Sequence, residues 1–139
     1  MERDRLTGHN KVRICLVDDE PIVVKTLAGF LTTIGCSVLS CGDANALFGL
    51  LEDEPVDLIL LDLLLPGLKG ETLVREVRRR HPDIPLVIMT GNTSIYPSSS
   101  LDHHGIHAFL HKPFHLTELE KLVEELTKER SGQPVASGG

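Results

Sequence analysis

The stretch "LILLDLLLP", from Leu58 to Pro66, sets one aspartate, Asp62, among seven apolar residues. The apolar run before Asp62 does not alternate with polar residues, which is typical of a strand that is covered on both faces. An unpaired charge inside such a core costs several kcal/mol, so buried carboxylates are usually paired or bound to a metal. We therefore expect Asp62 to end a central strand beside groups that balance its charge.

Five short apolar runs are expected to form strands. The predicted strands are "KVRICLV" (11–17), "CSVLSC" (36–41), "DLILLD" (57–62), "PLVIMT" (85–90) and "HAFLHK" (107–112). Helical patterns lie between most of them, and strands that alternate with helices form parallel sheets. The sequence therefore predicts an α/β fold with a five-stranded parallel sheet and helices on both faces.

Four segments have a clear helical pattern. They are "PIVVKTLAGFLTTIG" (21–35), "DANALFGLLED" (43–53), "GETLVREVRRRHP" (70–82) and "HLTELEKLVEELTKER" (115–130). Pro21 suits a first helical turn, Gly35 suits a helix end, and Asp43 is a candidate N-cap. A further helix is expected in "NTSIYPSSSLDHHG" (92–105), between the fourth and fifth strands. Pro97 and three serines limit this fourth helix to about two turns, so we expect it to be short or irregular.

Composition indicates one folded domain with short flexible ends. The chain has 139 residues, of which 41% are hydrophobic, and its net charge of -6 argues against a nucleic-acid surface. No apolar run is long enough to span a membrane. Three cysteines without a CxxC pair suggest free thiols in a reducing cytoplasm. We expect residues 1–10 to be disordered, 11–130 to form the domain, and 131–139 to be a flexible tail.

Polar and charged residues stand at the carboxyl ends of the predicted strands. They are Asp18 and Asp19 after the first strand, Asp62 at the third, Thr90 at the fourth and Lys112 at the fifth. These ends meet at one edge of a parallel sheet, where α/β folds bind ligands. Three carboxylates repel one another unless a cation lies between them, and Mg²⁺ is the leading candidate because it prefers oxygen ligands. A nearby hydroxyl and ammonium would suit a phosphoryl group.

Four motifs in this order resemble the receiver domain of two-component response regulators, over roughly Lys11 to Arg130. The matching segments are "LVDDEP", "DLILLDLLLPGLKG", "VIMTG" and "GIHAFLHKPF". The resemblance implies a flavodoxin-like fold with strand order 2-1-3-4-5. It also implies a cytoplasmic phosphorelay component that is phosphorylated by a histidine kinase or a histidine phosphotransfer protein, and that catalyses only its own phosphoryl transfer and dephosphorylation.

The same resemblance implies the roles of single residues. Asp62 would be the phosphoacceptor. Asp18, Asp19, Asp62 and the backbone carbonyl of Leu64 would hold Mg²⁺.

The resemblance assigns the remaining roles to the last two strands. Lys112 would pair with the phosphoryl oxygens, and Thr90 and Phe109 would move as the switch. The Lys112–Pro113 bond would be cis. The fourth helix, the fifth strand and the fifth helix would form the surface that a downstream output protein or domain reads. The run "GIHAF" replaces the "GADDY" found in many winged-helix regulators, which weakens any inference of their symmetric dimer.

Other interpretations of these residues remain open. Asp18 could cap the following helix, Thr90 could be an ordinary strand residue, and Lys112 could be a surface lysine. A module of the same fold could also signal without phosphate. A haloacid-dehalogenase-type phosphatase ranks far behind, because its second aspartate is absent two positions after Asp62.

A cluster of histidines near the fifth strand raises a further possibility. It comprises His103, His104, His107, His111 and His115, which could bind a transition metal or sense pH. Solvated surface histidines are the favoured interpretation, because nothing in the sequence fixes a ligand geometry.

Overall fold

A computed structural model describes residues 11–63, 70–91 and 105–128 of the chain. Its parallel sheet has the order β2-β1-β3-β4-β5. The strands are β1 (Arg13–Val17), β2 (Ser37–Cys41), β3 (Leu58–Asp62), β4 (Leu86–Thr90) and β5 (Ala108–His111). The described helices are α1 (Pro21–Thr33), α2 (Ala44–Asp53), α3 (Gly70–Arg80) and α4 (Leu116–Leu126). The predicted fold class and strand order are confirmed.

Every strand begins one or two residues later than predicted. Two of the residues just before the strands nevertheless bond to a neighbouring strand through their backbone amides. The Asp57 amide donates to the Arg13 carbonyl at 2.7 Å, and the His107 amide donates to the Leu86 carbonyl at 2.8 Å. These bonds anchor the two residues without continuing the ladder, so the sequence pattern extends past the paired segment.

The apolar character of β3 follows from its place in the middle of the sheet. Leu58 and Leu60 pack in a cluster with α1 and α4, whereas Ile59 and Leu61 pack in a second cluster with α2 and α3. All four side chains are fully buried. Helices therefore cover both faces of β3, as the absence of alternation predicts.

The first helix begins and ends at the residues that the sequence predicts. Pro21 occupies the first turn of α1, and Gly35 follows its end with a φ of 100°. The amides of Gly35 and Cys36 donate to the carbonyls of Thr32 and Leu31, which closes the last turn.

The second helix has the cap that was predicted. The Asp43 carboxylate accepts the Ala46 amide at 2.8 Å, which confirms Asp43 as the N-cap of α2.

Several predictions concern parts of the chain outside the described residues. These are the flexible ends (1–10 and 131–139), the short helix within 92–105, the carbonyl of Leu64, and residues His103 and His104 of the histidine cluster. The helix predicted at 115–130 is described as α4, with His115 as its N-cap. None of the helices in the described ranges combines the length and apolar character needed to cross a bilayer.

Candidate functional site

Three carboxylates meet where β1 and β3 end. One oxygen each of Asp18, Asp19 and Asp62 can be chosen so that all three lie within 4.8 Å of one another. Asp18 and Asp62 are buried, with 2% and 6% of their surface exposed, whereas Asp19 faces solvent. A cluster of carboxylate oxygens open to water on one side fits a hard divalent cation such as Mg²⁺.

The sheet register explains why these residues meet. Val17 of β1 lies opposite Leu61 of β3, so the next residue of each strand is an aspartate. The apolar strands fix this register because their side chains must face the two core clusters. Asp62 is also the partner of Met89 in β4, one residue before Thr90.

Lys112 brings the balancing positive charge from the end of β5. Its Nζ lies 3.0 Å from Asp18 Oδ2, 3.6 Å from Asp62 Oδ2 and 3.8 Å from Glu20 Oε1. Burial would lower the pKa of the Lys112 ammonium, but the hydrogen bond to Asp18 and the charge of Asp62 outweigh burial and raise this pKa above its usual value. Lys112 is therefore held as a cation inside the site.

Asp18 is fixed by contacts on both sides. Its Oδ1 accepts the Glu20 amide at 3.0 Å, and its own amide donates to the Cys41 carbonyl at 3.1 Å. Glu20, not Asp18, is the N-cap of α1, and it makes no side-chain cap bond. The idea that Asp18 serves as the helix cap is therefore wrong, because its carboxylate is turned to Lys112 and to the amide of the capping residue.

The predicted switch residues lie on the two neighbouring strands. Thr90 ends β4 and is 2% exposed. Its backbone carbonyl accepts a hydrogen bond from the Lys112 amide at 2.9 Å. Phe109 lies in β5 opposite Ile88 and is half-buried against the cluster formed with α2 and α3. The Lys112–Pro113 peptide bond is cis. Thr90 and Lys112 thus stand at the same rim as the acidic cluster, with Phe109 three residues before Lys112.

Two residues beside the site were not singled out from the sequence. Glu20 approaches Lys112, and its signal was its place directly after the acidic pair in "VDDEP". Ile22 is 78% exposed, more than any other large apolar residue in the described ranges. A single apolar residue in a helical pattern carries no sign of its exposure, so Ile22 could not be found without the structure.

The described histidines form no site of their own. Within residues 11–63, 70–91 and 105–128, the acidic cluster is the one group whose side chains could jointly hold a metal ion, and it contains no histidine. His111 and His115 are exposed.

Charge and geometry define what the site can do. The site holds four acidic side chains and one ammonium: Asp18, Glu20 and Asp62 lie within 3.8 Å of Lys112 Nζ, and Asp19 joins Asp18 and Asp62 in the acidic cluster. This excess of negative charge favours binding of a cation. A carboxylate next to a cation site and a lysine can attack an electrophile whose oxygens need positive charge, and a phosphoryl group is such an electrophile.

Comparisons with known proteins agree with this chemistry. The sequence model of a family described as "Response regulator receiver domain" matches residues 14–124. The DNA-binding transcriptional regulator NtrC of Klebsiella pneumoniae is 30% identical over 109 residues, which are 78% of this chain and 23% of that protein. The chain spans about a quarter of the length of the curated relatives it matches, between 21% and 28% for the first of them.

Two solved structures show the same architecture. NtrX from Brucella abortus is 30% identical, with a TM-score of 0.78, and the match covers 88% of this chain and 28% of that one. The receiver domain of the sensor histidine kinase PA1611 from Pseudomonas aeruginosa is 26% identical, with a TM-score of 0.76, covering 88% and 99%. That domain is described with a magnesium ion coordinated in its active site cleft.

Proposed function

This chain belongs to the response regulator receiver domain family, and we propose from that premise that Asp62 accepts a phosphoryl group from a phosphohistidine of a partner protein. The observation that carries the proposal is the placement of Asp62 between two other carboxylates and the Lys112 ammonium. A carboxylate in that position is both nucleophilic and compensated in charge. Its phosphorylation would make the chain a signalling switch and not an enzyme acting on other substrates.

The transfer itself is a direct displacement. An Oδ atom of Asp62 attacks the phosphorus in line with the bond to the donor imidazole. The new O–P bond forms as the P–N bond breaks, and the electron pair returns to the imidazole nitrogen, which then takes up a proton. Asp62 must be ionised for this step, and the Lys112 ammonium 3.6 Å away favours its charged form.

The acidic cluster would hold Mg²⁺ through Asp18, Asp19 and Asp62, with the carbonyl of Leu64 as the further ligand implied by the family. When bound, Mg²⁺ supplies positive charge to the phosphoryl oxygens. Asp19 is the exposed member of the cluster, so the cation site opens to solvent there. The Asp18 carboxylate accepts hydrogen bonds from Lys112 and from the Glu20 amide, which keep it in one orientation.

Lys112 and Thr90 would then bind the new phosphoryl group. Lys112 would exchange part of its contact with Asp18 for a phosphoryl oxygen, and the Thr90 hydroxyl would donate to another. Phe109 would follow Thr90 inward, since it is only half-buried and lies on the strand next to β4. This movement would carry the phosphorylation signal from the rim to the surface of β5.

The phosphoryl donor is proposed to dock on an apolar groove beside the site. The groove has a volume of about 510 Å³ and lies between the first turns of α1 and the segment from Lys112 to Leu116. The apolar residues Ile22, Val23 and Phe114 line it, and so does Lys112. A helical donor seated here would therefore bring its phosphohistidine next to the ammonium that contacts Asp62.

Replacing Ile22 by serine should slow phosphotransfer from a protein donor by about tenfold, the effect of losing one central apolar anchor that contributes about 1.4 kcal/mol. The measurement uses phosphorylated histidine phosphotransfer proteins, screened first for transfer to the wild-type chain. Phosphorylation by acetyl phosphate should be unchanged, as it should be for both reactions in a Thr32→Ser control at the other end of α1. Equal transfer rates for the Ile22→Ser and wild-type chains would contradict docking at this groove.

A second groove is the proposed contact for the output protein or domain. It has a volume of about 270 Å³ and is lined by β5, including Phe109, and by Glu118, Lys121, Leu122 and Glu125 of α4. Because Phe109 belongs to this groove, its movement would change the shape that an output partner meets. Residues 92–104, where the short helix is predicted, would complete the surface.

We also propose the bounds of the domain and the cellular compartment in which the chain acts. We take residues 11–130 as the receiver domain. None of its three cysteines is bonded in a disulfide, which suits the reducing cytoplasm.

The proposed function is tested by incubating the wild-type chain with acetyl phosphate and Mg²⁺ and measuring its intact mass. We expect a gain of one phosphoryl group that requires Mg²⁺ and is prevented by a chelator added beforehand. A chain that keeps its mass at every Mg²⁺ concentration would contradict the proposal and would favour a module of the same fold that signals without phosphate.

A further inference from the structure

His107, the residue just before β5, bonds to the first residue of β4 through its side chain as well as its backbone. The amide of Leu86 donates to Nδ1 of His107 at 3.2 Å, and the amide of His107 donates to the carbonyl of Leu86 at 2.8 Å. An imidazole nitrogen can accept a hydrogen bond only while it carries no proton. Both bonds therefore exist together only when Nδ1 of His107 is unprotonated.

A fixed positive charge stands close to this pair. Arg78, near the end of α3, donates from Nη1 to the carbonyl of Pro82 at 3.0 Å and from Nη2 to the carbonyl of Ile84. Gly105 passes over its stem with a φ of 74°, and a Cβ there would lie 2.9 Å from Arg78 Cδ. These contacts hold the guanidinium at the base of β4 and β5.

The surroundings of His107 favour its neutral form. Burial lowers the pKa of the ring first, the charge of Arg78 lowers it further, and a backbone hydrogen bond with Gly105 opposes them, so the net pKa lies below 6.5. Asp83 acts on Arg78, where its charge partly offsets burial of the guanidinium. His107 is exposed to solvent, so protons reach the ring directly.

We propose that His107 is a pH-sensitive latch that joins β4 to β5 when its imidazole is neutral and releases the Leu86 amide when it is protonated. Protonation removes the acceptor at Nδ1 and sets a second positive charge near Arg78. Nothing in this proposal depends on phosphorylation, because the latch belongs to the folded chain without phosphate. β4 ends at Thr90 and β5 contains Phe109, so release of the latch would loosen the two strands that carry the proposed switch.

The direction of the pH effect follows from the lowered pKa. The unfolded chain binds a proton at His107 more readily than the folded chain, so this residue makes folding less favourable as pH falls below about 6.5. The stabilising contribution is fully present above that pH, where the ring is neutral in both states.

Nuclear magnetic resonance can follow the latch directly. We expect the His107 ring and the Leu86 amide of the wild-type chain to titrate together between about pH 5 and 8, with one midpoint below 6.5. Replacement by asparagine (His107→Asn) keeps an acceptor near the position of Nδ1 but cannot titrate, so the Leu86 amide signal should stay constant. A His111→Asn control, at the exposed last residue of β5, should leave the Leu86 titration as in the wild type.

The proposal is overturned by any of three results. The Leu86 amide could fail to respond while the His107 ring titrates. The common midpoint could lie at or above 6.5. The Leu86 titration could persist in the His107→Asn chain. The first two results come from the wild-type chain alone, so they remain decisive if a variant does not fold.

Discussion

A chain with Asp62 replaced by asparagine should fold normally and gain no phosphoryl group from acetyl phosphate. The amide oxygen of asparagine is a poor nucleophile and carries no charge, so neither the attack on phosphorus nor full cation binding survives the change. The loss of phosphorylation should be complete within the sensitivity of intact-mass measurement.

The stability of the Asp62→Asn chain separates loss of chemistry from loss of structure. Asp62 shares its surroundings with Asp18 and Asp19, and removing one of three close negative charges relieves repulsion in the absence of a divalent cation. We therefore expect a free energy of unfolding equal to that of the wild type or higher, measured in urea without Mg²⁺. An Asp53→Asn control at the exposed end of α2 should be phosphorylated normally. Continued phosphoryl gain by the Asp62→Asn chain would contradict the assignment of the acceptor.

Replacing Lys112 by methionine should lower the free energy of unfolding by about 2 to 4 kcal/mol, because it leaves a buried carboxylate without its cation. The side chain of Asp18 is fully buried, and its Oδ2 accepts a hydrogen bond from Lys112 Nζ at 3.0 Å. The side chain of Lys112 is 23% exposed. The expected loss is smaller than for a wholly buried pair, since water still reaches the lysine. Phosphorylation should also fall, because the phosphoryl oxygens lose their positive partner.

A double-mutant cycle distinguishes the pair from other effects of Lys112. If the loss comes from uncompensated charge on Asp18, the further change Asp18→Asn should restore much of the stability. The Lys121→Met variant, at an exposed position of α4, provides the matched control and should unfold like the wild type. A Lys112→Met chain as stable as that control would show that the ion pair contributes little to the fold.

The site could be predicted from the sequence because the strands that form the sheet also carry the site residues at their carboxyl ends. The apolar residues Leu58 to Leu61 indicate a central strand, and parallel strands deliver their carboxyl ends to one rim. Asp18, Thr90 and Lys112 each follow or end such a strand, so their approach to Asp62 follows once the strand order is known. The order itself came from resemblance to a family, since periodicity does not specify which strands are neighbours.

What the sequence could not provide depends on contacts between distant segments. Asp62 was expected to end a central strand beside balancing charges, but its burial was not predicted: it is 6% exposed, nearly as buried as the leucines before it. Nothing in the run "RRRHP" (78–82) shows that Arg78 turns back to bind two carbonyls of the following loop. The contact between His107 and the Leu86 amide spans 21 residues and has no sequence signal.

The central claim is that Asp62 forms the phosphoryl bond, and trapping that bond tests it most directly. Borohydride converts an aspartyl phosphate to homoserine, so reduction of the wild-type chain after incubation with acetyl phosphate and Mg²⁺, followed by peptide mass mapping, identifies the acceptor. We predict homoserine at position 62 and unmodified aspartate at positions 18 and 19. Homoserine at either of those positions, with Asp62 unmodified, would contradict the account.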